Sequence, residues 1–424
     1  MYKDHGVWCV ASHLPSPHMP IDYTFFKGSP NGYEEAAMKV EALEPMQVLV
    51  KVTHAGICGS DVLYQPAPIA QGHEGVGTVQ EVGSGVTEFK VGELVGWGFM
   101  HKSCGRCEHC VAGYDSYCVK REAHGQHDFT VGAFASHAIW DASILYKVPE
   151  GVAPEEAAPI MCGGATVFQV VDENDIKTTD RVGVVGIGGL GHFALQYLSK
   201  TGATVVAFST TEGKKDEAFK FGATEFAVIG SEEFKKVAPL NHIVVTSNTL
   251  LDWTEWMGLL KHRATIHLLT LDFTAVTLPA LPLVVNGVNV KGYAPGGRKH
   301  VQNALKFAVQ HKIKPMIETF PFTKAGLEEG LAKLKEGKFV SFRVTQAPSP
   351  RPDSHRPDAR GRRYMLARRT PQFRAALRCV KYSTALETTD LLDKYRTLVS
   401  QGRIQYDEDQ VRVVIDEPLG SMFA

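Results

Sequence analysis

The chain has 424 residues, of which 44% are hydrophobic and 21% charged, and a formal net charge of −1. That size and composition support full hydrophobic cores in more than one domain, and the near-zero charge gives no global field toward nucleic acid or an acidic membrane surface. No stretch approaches the roughly eighteen apolar residues that span a bilayer, and eight cysteines fit a reducing compartment better than a disulfide framework; a cytoplasmic protein with small-molecule partners is expected, without nucleic acid or membrane.

Residues 1–18 lack both helix or strand periodicity and a continuous apolar core of a signal peptide, so they read as a disordered extension, with Met19 as an alternative start. The runs at 47–52 (QVLVKV), 75–82 (GVGTVQEV) and 93–96 are short, apolar or alternating, and broken by glycine, which predicts a partly open barrel of short twisted strands. After Pro159 the pattern changes. A buried strand at 181–187 (RVGVVGI), a helix at 190–200 and a strand at 203–208 (ATVVAF) form a βαβ unit. Further strands at 227–229, 242–246, 265–269 and 288–293, with a helix at 250–261, predict a doubly wound parallel sheet. Helices at 301–311 and 323–336 and a strand at 339–344 complete this folding unit.

From Pro348 the composition turns to PSPRPDSHRPDARGRR, which buries too little apolar surface to offset its ordering entropy and reads as a disordered linker. Residues 365–385 (MLARRTPQFRAALRCVKYSTA) carry arginine, serine and threonine but no acid, the composition of a mitochondrial presequence in an internal position. With the helical 391–400 and the apolar 411–415, this tail resembles the opening of a mitochondrial AAA+ ATPase of the LACE type. No phosphate-binding loop follows, so no ATPase activity is carried over. The tail reads as a neighbouring reading frame joined to the first unit, by real fusion or by gene prediction, with a docked C-terminal helix as the alternative.

Cys104, Cys107 and Cys110 at i, i+3 and i+6, closed by Cys118, form a four-thiolate set from one loop, the pattern of a tetrahedral structural zinc site. Disulfides or scattered buried thiols explain that spacing poorly. Cys58 in GICGSD, His73 in GHEGVG and Cys162 in MCGGAT supply two thiolates and one imidazole, a three-ligand zinc site with an open fourth position suited to catalysis. Each residue alone reads more simply as core or surface; the combination points to metal. Ser60 is placed to exchange a proton with an alcohol oxygen, Asp61 to accept from the other ring nitrogen of His73, and Glu74 to approach the metal or to pair with a cation. Their plainer roles are a turn hydroxyl, a cap and an ion pair.

The run Gly186-Ile187-Gly188-Gly189-Leu190-Gly191 follows a buried strand and opens a helix, which is where a dinucleotide pyrophosphate needs a tight turn and a helix N-terminus. At the end of the next strand, where an NAD enzyme carries an acid, stand Ser209, Thr210 and Thr211, followed by Lys214 and Lys215. Hydroxyls and an ammonium suit a 2′-phosphate, so NADP is inferred; at least one of the two lysines belongs to a solvated helix face.

On these motifs, in this order, residues from about 23 to 345 resemble the zinc-dependent medium-chain alcohol dehydrogenases, most closely the NADP-dependent cinnamyl-alcohol-dehydrogenase-like branch. The resemblance implies a GroES-like catalytic domain (19–163 and 298–345) interrupted by a Rossmann NADP-binding domain (164–297), with 346–424 as linker and tail. It implies a homodimer with two zinc ions per chain, a catalytic one on Cys58, His73 and Cys162 and a structural one on Cys104, Cys107, Cys110 and Cys118. The implied reaction interconverts primary aromatic or medium-chain aliphatic alcohols and aldehydes. Zinc polarises the carbonyl, NADPH delivers hydride, and Ser60 helps protonate the alkoxide. Trp97, Phe99 and Tyr293 are candidates for an apolar substrate pocket, or alternatively core aromatics. Leu63 stands where family members often carry a relay histidine, so Ser60 relies on water, Tyr64 or a cofactor hydroxyl. The rival readings are a polyol or formaldehyde dehydrogenase of the same superfamily and a non-catalytic scaffold that keeps the fold.

Overall fold

The computed structural model describes residues 20–247, 251–270 and 275–336, with the backbone of a strand at 342–346. The N-terminal extension, the expected beginning of the last strand at 339, and the linker and presequence-like tail lie outside the described residues.

The described chain opens with a hairpin absent from the expected elements: β1 (Ile21–Ser29) pairs antiparallel with β2 (Gly32–Val40). Its turn holds Gly32 at φ +118°, a conformation in which a Cβ is strained. β3 (Gln47–Ile57) then leads through Cys58 into the short helix α1 (Gly59–Tyr64) and back to β4 (Gly75–Val82) and β5 (Leu94–Trp97). A small ribbon of β6 (Met100–Lys102) and β7 (Glu122–Ala123) encloses the cysteine loop and its helix α2 (Glu108–Val111). β8 (His137–Asp141), β9 (Tyr146–Lys147) and α3 (Pro154–Pro159) follow, and a single π-helical turn at Ile160–Gly164 runs into α4 (Ala165–Asp172).

The second half alternates strand and helix: β10 (Arg181–Val185), α5 (Gly189–Ser199), β11 (Thr204–Ser209), α6 (Lys215–Lys220), β12 (Glu225–Val228), α7 (Glu232–Lys235), β13 (Leu240–Val245), α8 (Trp253–Met257), β14 (Leu260–Leu268), α9 (Ala280–Asn286) and β15 (Asn289–Gly292). These six strands form one parallel sheet in the order β12-β11-β10-β13-β14-β15. Val182, Val184, Val185, Val205, Val206, Ile243 and Val244 are all buried, as strands covered on both faces require. The sheet reverses direction of growth between β10 and β13, and ligands of such sheets bind beyond the strand C-termini at that switch point.

The chain then returns to the first half. After α10 (Arg298–His311), β16 (Ile317–Pro321), α11 (Lys324–Glu336) and β17 (Phe342–Gln346), a seven-stranded sheet is complete, in the order β16-β17-β3-β4-β5-β9 with β8 on β3. Val48, Val50, Val52, Trp97, Phe134 and Trp140 fill its core. This is a GroES-like β domain combined with a Rossmann-type sheet.

Two expectations about elements are corrected. The helix expected at 250–261 is only α8, because Gly258 ends it and Leu260 already pairs with Leu240 in β14. β14 therefore begins five residues before the expected 265, and an irregularity in register falls between its first pair and the next, close to Arg263 at φ 63°. The apolar run around Trp256 satisfies helical and extended patterns equally, so periodicity alone does not divide it.

Candidate active site

The four-cysteine loop closes on itself. The sulfurs of Cys104, Cys107, Cys110 and Cys118 all lie within 4.8 Å of one another. Backbone N–H groups of Cys104 and Lys120 donate to Cys118 Sγ, both at 3.3 Å, and that of Cys107 to Cys104 Sγ at 3.4 Å. Gly105 permits the tight turn at φ +68°. The N–H groups of Arg106 and Cys107 pull the Cys104 thiol down to about 6, whereas burial pushes Cys110 up to about 12. A closed, sulfur-only set of four converging donors fits a structural zinc site. The loop docks on α10, where Asp115 Oδ1 accepts the Arg298 backbone N–H at 2.8 Å and Ser116 donates to the Pro295 carbonyl.

A second set is assembled from three separate segments. Cys58 caps α1, His73 and Glu74 immediately precede β4, and Cys162 sits in the π-helical turn before α4. One donor atom from each of Cys58, His73, Glu74 and Cys162 lies within 4.8 Å of the others. His73 and Glu74 are fully buried, and neither His73 Nε2 nor Glu74 Oε2 has a hydrogen-bond partner among the described residues. Contact with the Cys162 thiol holds Cys58 well below the ordinary thiol range, and the same contact, with burial, pushes Cys162 up. Burial, followed by the neighbouring Cys58, pushes the Glu74 carboxyl well above its usual range. Converging buried donors of this kind, two sulfurs and an imidazole, fit zinc.

Asp61 ties the set together. Its Oδ1 lies 3.0 Å from His73 Nδ1, and its Oδ2 accepts the Cys58 backbone N–H at 2.7 Å. Burial opposes charge on the His73 ring, and Asp61 together with Cys58 more than offsets it, so the imidazole is held well above its ordinary value. Because Nδ1 faces the carboxylate, Nε2 is the nitrogen presented to Cys58 and Cys162. Ser60 Oγ is 3.9 Å from Cys58 Sγ. Leu63 is 47% exposed.

Of the aromatic candidates, Phe99 packs edge-on against His73, with ring centroids 5.6 Å apart. Trp97 is instead a core residue: it is fully buried, packs at a tilt against Trp140 with ring centroids 5.5 Å apart, and occupies the space a side chain at Gly75 would need. Tyr293 is committed elsewhere, its hydroxyl bonded to His267 and Asn174. His124, which stands in no motif, packs on the cluster at 5.3 Å from His73. An isolated histidine in a polar loop carries no spacing signal that would single it out.

At the C-terminal end of β10, the chain turns through Gly186 at φ +90°, and a Cβ on Gly191 would overlap the Gly186 carbonyl oxygen. Gly188 and Gly189 lead directly into α5; a Cβ on Gly188 would meet nothing within 4 Å, so open space lies before this helix N-terminus. Leu190 is in its first turn. This is a cradle for a pyrophosphate. Ser209 ends β11, its Oγ accepting the Thr211 N–H, and Thr210 is exposed beside it. Lys214 reaches across to the Ile187 carbonyl at 3.1 Å, while Lys215 turns away, its ammonium 6.0 Å over the Phe226 ring. Lys214 therefore borders the glycine loop, and Lys215 is the lysine of the outer helix face.

Residues 44–150 match the alcohol dehydrogenase GroES-like domain and 189–310 match the zinc-binding dehydrogenase domain. An aldehyde reductase of Synechocystis is 33% identical over 316 residues, spanning 72% of this chain and 91% of its own. The chain belongs to the zinc-dependent medium-chain alcohol dehydrogenases, in their cinnamyl-alcohol-dehydrogenase-like branch. Among solved structures, a cinnamyl alcohol dehydrogenase of Sorghum bicolor superposes with a TM-score of 0.72 at 27% identity, covering 77% of this chain and 98% of that one. The Helicobacter pylori enzyme complexed with NADP(H) gives 0.70 at 26%, covering 77% and 99%. These relatives make the chain an oxidoreductase acting on alcohols. No helix among the described residues is long and apolar enough to cross a membrane.

Proposed function

We propose that the protein is an NADP(H)-dependent alcohol dehydrogenase and aldehyde reductase carrying two zinc ions per chain, acting on primary aromatic or medium-chain aliphatic substrates. The observation that carries this reading is the convergence of Cys58, His73 and Cys162, within 4.8 Å of one another and with buried, unpartnered His73 Nε2 among them. The catalytic domain is assigned to 19–163 and 298–345 and the NADP domain to 164–297, in keeping with the return of β16 and β17 to the first sheet.

Bound zinc supplies Lewis-acid stabilisation to a carbonyl oxygen, and NADPH supplies hydride. The protein's part is positioning. Cys58, His73 and Cys162 hold the ion, and Asp61 aims the imidazole by accepting from its far nitrogen. Ser60 Oγ, beside Cys58, donates a proton to the substrate oxygen during reduction and takes one during oxidation. Exposed Leu63 has no proton to pass on, so Ser60 exchanges with water. Glu74, buried beside the three ligands with Oε2 unpartnered among the described residues, is an alternative donor to the ion. Ser209, Thr210 and Lys214 are assigned to the 2′-phosphate.

A homodimer is proposed for the same chain. β15 is the edge strand of the parallel sheet, and Val276, Leu281, Val284, Val285 and Val290 around it are 42 to 79% exposed. An apolar edge of this kind is normally covered, and a second copy covers it symmetrically.

The test is NADPH and NADH oxidation by the zinc-loaded protein against a panel of aromatic and aliphatic aldehydes. Turnover with NADPH supports the assignment; no turnover with either cofactor across the panel overturns it in favour of a binding or scaffold protein.

A further inference from the structure

We propose that His124 is a positioning residue for the catalytic ligand His73, acting through Asp61: its ring N–H faces the Asp61 carboxylate and keeps it in the orientation that aims His73 Nε2 at the metal. The proposal rests on the catalytic-zinc reading above.

Three observations place His124 in this role. Donor atoms of Asp61, His73 and His124 lie within 4.8 Å of one another. The His124 ring is 1% exposed, and neither of its nitrogens has a hydrogen-bond partner among the described residues. The ring is also held in place: its backbone N–H donates to the Phe99 carbonyl at 2.9 Å, Tyr64 packs on it edge-on at 5.2 Å, and it tilts 37° against His73. A buried polar group without a partner costs about 1–3 kcal/mol. Phenylalanine would fill the same aromatic box of Tyr64, Phe99 and His73 without that cost. A histidine here is therefore explained by its N–H, and the carboxylate within 4.8 Å of the ring is that of Asp61.

Asp61 itself is committed on two sides, to the Cys58 N–H and to His73 Nδ1. A donor from His124 adds the third side and leaves the carboxylate one orientation. The same three side chains also have the spacing of a second metal seat. That use would take His73 Nδ1 away from Asp61 and uncouple the first site, so positioning is the reading favoured by the contacts. His101, also buried and unpartnered among the described residues, lies at 5.9 Å from His124, over Trp140, and is not among the donors that converge on Asp61 and His73.

The experiment measures zinc release from the full-length, zinc-loaded protein to an excess of chelator, with no cofactor or substrate present. Cys58→Ser, which removes a catalytic ligand, identifies the phase due to the cage zinc. His124→Phe is expected to release the catalytic zinc about tenfold faster than the unaltered chain. Its cage phase and thermal midpoint stay unchanged, and the cobalt-substituted catalytic site shows an altered visible spectrum. His124→Gln, which restores an N–H donor, returns the rate toward the original. Wild-type release and spectrum in His124→Phe overturn the proposal, as does acceleration of both phases together or failure of Gln to rescue. If the unaltered chain binds zinc only in the cage, the catalytic-zinc reading itself fails, and that result is visible before any His124 variant is made.

Discussion

The carboxylate of Asp61 joins two of the proposed zinc ligands at once, standing 3.0 Å from His73 Nδ1 and accepting the Cys58 N–H at 2.7 Å. One buried side chain thus fixes the ring of one ligand and the backbone of another.

Replacing Asp61 with Asn keeps the shape and removes the charge. Catalytic-zinc affinity is expected to fall about 10- to 100-fold, as for other groups that orient a metal-bound histidine, while the cage zinc is retained. Competition against a chelator of known affinity measures both. Unchanged affinity would remove Asp61 from the metal centre.

Ser209 and Lys214 lie at the end of β11 and beside the glycine loop, and they are proposed to bind the 2′-phosphate. A charge-assisted hydrogen bond contributes about 1.5–3 kcal/mol, so Lys214→Ala should raise KM for NADPH roughly 10- to 100-fold and leave KM for NADH nearly unchanged. Ser209→Asp should reverse the cofactor preference. Equal effects on both cofactors would show a general loop defect instead.

The fold should weaken in acid. Burial, as the largest cause, lowers His192 to about 4 and His267 to about 3 from an ordinary 6.5. Above about pH 6.5 both are neutral, folded or unfolded. Below it the unfolded chain binds protons the folded one refuses, so stability falls as pH drops toward 4, by about 1.4 kcal/mol per pH unit for each such histidine. Chemical denaturation at pH 7.5, 6 and 5 checks this. A flat profile would mean that neither ring is held neutral.

The apolar edge at α9 is proposed to meet a second copy. Leu281→Asp with Val284→Asp, at positions 74% and 79% exposed, should yield monomers in sedimentation without loss of secondary structure. If the unaltered chain already sediments as a monomer, the dimer assignment fails.

Much of the fold was readable from pattern because β10, β11 and β13 are valine-rich strands between helices, and the expected strand at 75–82 matches β4 residue for residue. The cysteine and glycine spacings led to both donor sets and to the loop before α5. The β1–β2 hairpin was not found, although Pro30-Asn31-Gly32 carries a turn signature, because the acids and alanines of 34–37 dilute the alternation that places Ala36, Met38 and Val40 on the inner face. Trp97 and Tyr293 could not be told from pocket residues, since burial in the core and burial around a ligand look alike in composition. His124 was invisible for a different reason: its position depends on the short β6–β7 ribbon, which folds it back onto His73.

The most direct measurement is zinc content with NADPH-dependent aldehyde reduction in the unaltered chain and in Cys58→Ser. Two zinc ions and turnover in the former, and one zinc ion, an intact fold and no turnover in the latter, are the results predicted. Full activity in Cys58→Ser, or two zinc ions retained by it, would contradict a catalytic metal on Cys58, His73 and Cys162.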